Sequence, residues 1–255
     1  MLYGNTVSVG KYVASGDANI YYETYGQGEP VVLLHGGLMG TPAEMGQLAD
    51  KLRSTYCVIL IATRGHGRST IGHSTPSYEQ KAADVKAVLD DLGITKAFVI
   101  GFSDGAYTGY FLAAHYPAYV QKLVAIGAGI WPKGFIQGGR RQIHSFSDLR
   151  ALAPDYWQEQ LEDVRPEPKR VEEWVTQTLQ YYDTVEVTPQ FLQGLEAKTL
   201  LIAGEKDENA PLSTVIEAYQ ALPHASLGII PGAPHTVLFS QFEVVWLMIE
   251  SFLHS

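Results

Sequence analysis

Gly101-Phe102-Ser103-Asp104-Gly105 follows the apolar run Ala97-Phe98-Val99-Ile100 and precedes Ala106-Tyr107-Thr108-Gly109-Tyr110-Phe111-Leu112-Ala113-Ala114, which reads as helix. A strand that turns sharply into a helix around G-x-S-x-G presents its serine at the tip of a strained turn with the hydroxyl exposed. The two glycines stand two residues either side of Ser103, where backbone and helix approach too closely for a Cβ. The amide of Asp104 points into the same space, and the helix N-terminus adds a field that favours developing negative charge. Ordinary strand-to-helix turns also carry this pattern, so the rest of the chain must supply a base, an orienting acid and an oxyanion donor.

Upstream, Val31-Val32-Leu33-Leu34 is apolar without alternation, as expected of a parallel strand covered on both faces, and it runs into His35-Gly36-Gly37-Leu38-Met39-Gly40. Cys57-Val58-Ile59-Leu60-Ile61 is a second such run, followed by the loop Ala62-Thr63-Arg64-Gly65-His66-Gly67-Arg68-Ser69. Ahead of both, residues 6–25 alternate and suggest an antiparallel hairpin turning at Ser15-Gly16-Asp17. Thr41-Pro42-Ala43-Glu44 reads as a capping box that opens a helix to about residue 53. Ser77-Tyr78-Glu79-Gln80 opens another, which carries Ala83, Val85, Val88, Leu89 and Leu92 toward the sheet and ends at Gly93. Further strands are predicted at 120–126, 199–204 and 225–230, with helices at about 211–222 and 237–253. Strand–helix–strand units therefore flank Ser103, the arrangement that joins parallel strands by right-handed crossovers.

Between residues 127 and 196 the strand pattern lapses into Gly- and Pro-containing loops and amphipathic helical runs near 147–152, 155–163 and 169–182. The segment holds Trp131, Trp157 and Trp174. It either covers one sheet edge or forms a lid with an aromatic lining, and the lid is preferred because the segment leaves the sheet directly after the strand next to Ser103. The expected organisation is a core of residues 1–126 and 197–255 with a helical cap at 127–196, and Trp131 and Trp157 as pocket candidates.

A serine nucleophile needs a base to take its proton and a carboxylate to hold that base in the right tautomer. Asp207 follows the strand at 199–204 and His235 follows the strand at 225–230, each where a strand has ended and a helix is about to begin. The order Ser103, Asp207, His235 is the one this turn uses. Glu205 and Glu208 compete with Asp207, which would also serve as a helix cap. The oxyanion donors are expected to be the amide of Asp104 and that of Gly37, with Leu38 as second choice; each such donor is worth about 3–4 kcal/mol. His35 reads as a brace for the glycine loop. Gly127-Ala128-Gly129 and Gly65-His66-Gly67 lack the third glycine of a dinucleotide site, and no Walker A, H-E-x-x-H or paired C-x-x-C pattern is present. No metal and no cofactor are expected.

The 255 residues are 46% hydrophobic and 18% charged, enough apolar matter for a full core and too little charge for a disordered chain. A net charge of −9 argues against nucleic acid or an anionic membrane as partner. The single cysteine, Cys57, excludes a disulfide within the chain and reads as a small hydrophobe in a strand. Neither a signal-peptide pattern nor an apolar stretch of membrane-spanning length is seen, so a cytoplasmic protein acting on a small molecule is expected. Whether it is a monomer or a homo-oligomer is left open.

With the elbow, the His35-Gly36-Gly37 loop, Asp207 and His235 in this order, the chain resembles the α/β-hydrolase fold family along essentially its whole length. Arg64-Gly65-His66-Gly67-Arg68-Ser69 and Leu200-Leu201-Ile202-Ala203-Gly204-Glu205-Lys206-Asp207 add to the likeness. The resemblance implies an α/β architecture: a mostly parallel eight-stranded sheet with helices on both faces, a helical cap after the sixth strand, and no cofactor. Thr63 stands where the family usually has aspartate. Ser103-Asp104-Gly105 resembles the elbow of the valacyclovir-hydrolase-like branch, which raises two roles for Asp104: attracting a substrate ammonium group, or stabilising the helix start. The expected activity is hydrolysis of carboxylic esters through an acyl-enzyme. Alternatives are carbon–carbon bond hydrolysis, lactonase or thioesterase chemistry on the same residues, or a slow ligand sensor.

Overall fold

A computed structural model describes residues 3–255. Its strands are β1 (Lys11–Ser15), β2 (Ala18–Tyr25), β3 (Glu29–Leu34), β4 (Tyr56–Ile61), β5 (Ala97–Phe102), β6 (Val120–Ile126), β7 (Lys198–Gly204) and β8 (Ala225–Ile230). They form one eight-stranded sheet in the order β1-β2-β4-β3-β5-β6-β7-β8. β1 and β2 form the expected antiparallel hairpin, and β2 runs antiparallel to β4. All pairings from β4 through β8 are parallel.

The unbroken apolar runs of the central strands follow from burial on both faces. Val32, Leu34, Ile59, Ile61, Val99, Leu123, Ala125 and Leu201 enter one core layer, while Val31, Leu33, Val58, Leu60, Ile100, Val124, Ile126 and Ile202 enter the other. Alternate residues point to opposite faces, so each strand feeds both layers. The first layer is covered by α2 (Tyr78–Asp91) and α3 (Asp104–His115), the second by α1 (Gly46–Leu52) and the C-terminal helix (Phe242–Leu253).

Between β6 and β7 come α4 (Phe146–Leu152), α5 (Pro154–Glu159), α6 (Val171–Thr184) and α7 (Pro189–Gln193), with short 3-10 turns and a π turn at Gln160–Val164. After β7 come α8 (Leu212–Ala221), α9 (Val237–Ser240) and α10 (Phe242–Leu253). The single helix predicted for 237–253 is broken at Gln241, whose backbone is not helical. The predicted capping box at Thr41 is not formed: the chain makes a 3-10 turn at Pro42–Met45 before α1, and the Thr41 side chain caps nothing. At Ser77 the prediction holds in part, since its hydroxyl accepts from the Gln80 amide. No helix among the described residues is long and apolar enough to cross a membrane.

Candidate active site

Three loops at the carboxyl ends of β5, β7 and β8 meet. Ser103 sits between β5 and α3 at φ 53°, and its amide donates to the Ile126 carbonyl at 2.7 Å. Among the described residues only Leu38 and Ser103 combine a side chain with a positive φ. Such strain persists only where surrounding structure enforces it, and at Ser103 the two glycines are part of that enforcement. A Cβ on Gly101 would lie 2.3 Å from the Gly105 carbonyl oxygen, and one on Gly105 would lie 2.3 Å from the Leu34 carbonyl oxygen.

Ser103 Oγ lies 2.9 Å from His235 Nε2, and His235 Nδ1 lies 2.8 Å from Asp207 Oδ2. The other Asp207 oxygen accepts from the amides of Asn209 and Ala210, each at 2.8 Å, so one carboxylate both shapes its loop and faces the imidazole. The competing glutamates lie elsewhere: Glu205 is bound to the Gly232 amide and to Lys206, and Gly138 donates to the Glu208 backbone carbonyl. The amides of Gly37, Leu38 and Asp104 make no hydrogen bond among the described residues. Gly37, Leu38, Ser103, Asp104 and His235 all line one cavity of about 270 Å³.

His35 braces the glycine loop as expected. It is fully buried, with Nδ1 2.7 Å from the Gly36 carbonyl and Nε2 accepting from the Thr63 amide at 3.1 Å. Burial brings its pKa down to about 4, so the imidazole is neutral at physiological pH. The Thr63 hydroxyl lies 3.3 Å from that same nitrogen and 2.9 Å from His66 Nδ1, so a neutral residue ties the two loops together.

Asp104 stands in the first turn of α3, as one of the two sequence expectations has it, and its side chain is also engaged by other elements. Its carboxylate is ion-paired with Lys81 and accepts from the hydroxyls of Tyr182 at 2.6 Å and Tyr78 at 3.0 Å. Burial opposes its ionisation, but Lys81 and the two hydroxyls outweigh burial and hold its pKa below the usual carboxylate value. Its charge is thus matched inside the protein, which removes the basis for ammonium recognition by this residue. The sequence carried one sign of this arrangement: Lys81 precedes Val85, Val88 and Leu89 by helical spacing and so lies on the buried stripe of α2.

Glu44 also escaped the sequence reading. Its carboxylate accepts from the Gly36 amide at 2.9 Å and lines the cavity instead of capping a helix. Burial pushes its pKa up to about 7, against the opposing pull of the Gly36 amide and His235. Trp131 and Trp157 are not pocket residues. Trp131 is buried against Tyr107 and Tyr182, with ring centroids 5.0 and 5.5 Å away, and Trp157 is buried against Phe146 at 4.9 Å. The helices between β6 and β7 are short, so the large indoles fill their interior. The cavity wall from this segment consists of Gln137, Gly139, Arg140, Ile143, Leu149 and Tyr182.

Comparison with known proteins agrees with this fold. A family model described as alpha/beta hydrolase fold matches residues 29–161, just over half of the chain. The serine hydrolase BPHL of Homo sapiens is 25% identical over 272 aligned residues, covering 98% of this chain and 88% of that protein. This is consistent with the branch that the elbow resembles. Among solved structures, the meta-cleavage product hydrolase CumD from Pseudomonas fluorescens IP01 superposes with a TM-score of 0.82 at 20% identity, covering 98% of this chain and 99% of that one. The esterase EaEST from Exiguobacterium antarcticum gives 0.77 at 23% identity, covering 96% and 100%.

Proposed function

The chain belongs to the α/β-hydrolase fold family, and from that premise we propose that it is a serine hydrolase of carboxylic esters acting through an acyl-enzyme. The observation that carries the reading is the contiguous line from Ser103 Oγ through His235 to Asp207, at 2.9 and 2.8 Å, with the serine at the strained tip of its turn. Ser103 attacks the acyl carbon as His235 Nε2 takes its proton, and Asp207 holds the imidazole in the tautomer that accepts there. The amides of Asp104 and of Gly37, or of Leu38, receive the oxyanion. These amides are unengaged among the described residues and border the same cavity, which supports the assignment. His235 then returns the proton to the leaving alcohol, and a water activated by the same nitrogen releases the acid. Residues 127–196 act as a cap, a role supported by their share of the cavity wall.

The test is hydrolysis of a chain-length series of p-nitrophenyl esters by the wild type and by Ser103→Ala. The variant is expected to lose turnover by about 10⁴-fold or more, the range for loss of a triad nucleophile. Hydrolysis that survives in Ser103→Ala overturns the assignment. A wild type that gives only a stoichiometric burst, or no turnover, rejects ester hydrolysis in favour of narrower chemistry on the same residues.

A further inference from the structure

The cavity wall contains a cation whose hydrogen-bonding capacity is only partly used. Arg140 lies in the 3-10 turn Gly138–Gln142, and only 10% of its side chain is exposed. Its Nη1 donates to Asp183 at 2.8 Å, but its Nε–H is buried and meets no acceptor among the described residues. A buried guanidinium N–H without a partner is unfavourable, and guanidinium is the donor whose fork matches a carboxylate. Asp183 is largely solvent-exposed, so its ion pair with Arg140 is weakened by water.

The position of Arg140 is fixed from two sides. The Gly138 amide donates to the Glu208 carbonyl at 2.9 Å, and the Gly139 amide donates to the Asn209 side chain at 2.5 Å, which docks the turn on the Asp207 loop. Arg140 also stacks over Tyr182, with its guanidinium carbon 5.8 Å from the ring centre. The hydroxyl of that tyrosine reaches Asp104, next to Ser103, and a Cβ placed on Gly37 would lie 2.4 Å from it. One tyrosine side chain therefore separates Arg140 from the oxyanion loop. The other charged groups in the wall are engaged: Asp104 is matched by Lys81, and Glu44 holds the Gly36 amide.

We propose that Arg140 binds a carboxylate carried by the substrate, so that this site takes esters bearing an acid group a few bonds from the scissile carbonyl. The inference rests on the reading of Ser103 as the centre of the site. The substrate acid accepts from the guanidinium N–H groups that Asp183 leaves unused, within the partly dry cavity, where such charge-assisted bonds are strongest.

The test is a calorimetric titration of Ser103→Ala, and of Ser103→Ala combined with Arg140→Gln, using monomethyl glutarate and the uncharged dimethyl glutarate. Loss of Arg140 is expected to weaken monomethyl glutarate binding by about 10- to 100-fold, the range for a charge-assisted hydrogen bond. The ratio of its affinity to that of the dimethyl ester is expected to fall by a similar factor. Equal binding of monomethyl glutarate to both proteins, no binding to Ser103→Ala, or an equal loss for both probes overturns the proposal. The two readings fail separately. Probe binding that depends on Arg140, in a protein that turns over no ester, rejects hydrolysis and keeps the carboxylate site. Turnover dependent on Ser103 with an unchanged probe ratio does the reverse.

Discussion

Glu44 is a buried carboxyl group set against the glycine loop, with its pKa moved from 4.5 to about 7 by burial. A folded-state pKa above the unfolded one means that the folded protein binds this proton more tightly. The associated stability is complete below pH 4.5 and is lost as pH rises through about 7, and it amounts to about 3 kcal/mol. Glu44→Gln keeps a neutral acceptor for the Gly36 amide and does not titrate. The difference in Tm between wild type and Glu44→Gln is therefore expected to favour the wild type more at pH 5 than at pH 8. A difference that stays flat across that range would show that Glu44 is solvated. The sequence placed Glu44 in a capping box because its spacing from Thr41 fits one. What it could not show is that the loop after β3 folds back and brings the Gly36 amide to the Glu44 carboxylate.

At the scale of elements, the elbow works because β5 and α3 meet the end of β3 at backbone contact. Gly105 is the point of closest approach, with a Cβ there meeting the carbonyl oxygens of Leu34 at 2.3 Å and of His35 at 2.7 Å. Gly105→Ala forces the helix away from the strand and is expected to cost at least about 1–3 kcal/mol, the usual range for overpacking. That lowers Tm by several degrees in a chain of this size and reduces ester turnover further by displacing the Asp104 amide. Gly194→Ala is the control, since a Cβ there meets nothing closer than 3.4 Å, and it is expected to leave Tm nearly unchanged. Equal Tm values for the two variants would disprove the close-contact account. The element from β6 to β7 shares the core layer of α2 and α3, and hydrogen bonds add to its attachment. Arg165 donates to the Gly65 carbonyl, the Glu167 carboxylate accepts from the Ile71 amide at 2.5 Å, and the Tyr181 hydroxyl accepts from the Tyr78 amide at 2.9 Å.

Across the whole molecule, two neutral histidines sit at the junction of three loops. His35 and His66 are fully buried with ring centroids 4.8 Å apart, and burial lowers both pKa values, that of His66 well below the ordinary 6.5. The unfolded chain takes up protons at these positions first. Stability present above pH 6.5 is therefore lost as pH falls toward about 4, the folded value of His35. This acid-side loss runs opposite in sign to the Glu44 effect. His66→Gln removes one of the two groups and is expected to make the decline in unfolding free energy between pH 6.5 and 4 shallower, as read by denaturant titrations. An unchanged slope would mean that His66 keeps its proton in the folded state.

The strands and their parallel crossovers were legible because the signals are local: doubly buried strands leave unbroken apolar runs, and close backbone contact at the elbow admits only glycine at Gly101 and Gly105; the order of strands across the sheet was not. The order of Ser103, Asp207 and His235 was equally legible, since each follows a predicted strand and parallel strands bring such loops to one edge. The tertiary structure alone decided what surrounds them. Asp104 met Lys81 from α2 and Tyr182 from α6, Glu44 turned to the Gly36 amide, and Arg140 entered the cavity while Trp131 and Trp157 left it. Most of these outcomes depend on contacts between residues far apart in sequence, and in all of them burial and charge pairing choose among partners that no local pattern ranks. Local geometry named the residues of the site, and packing chose their neighbours.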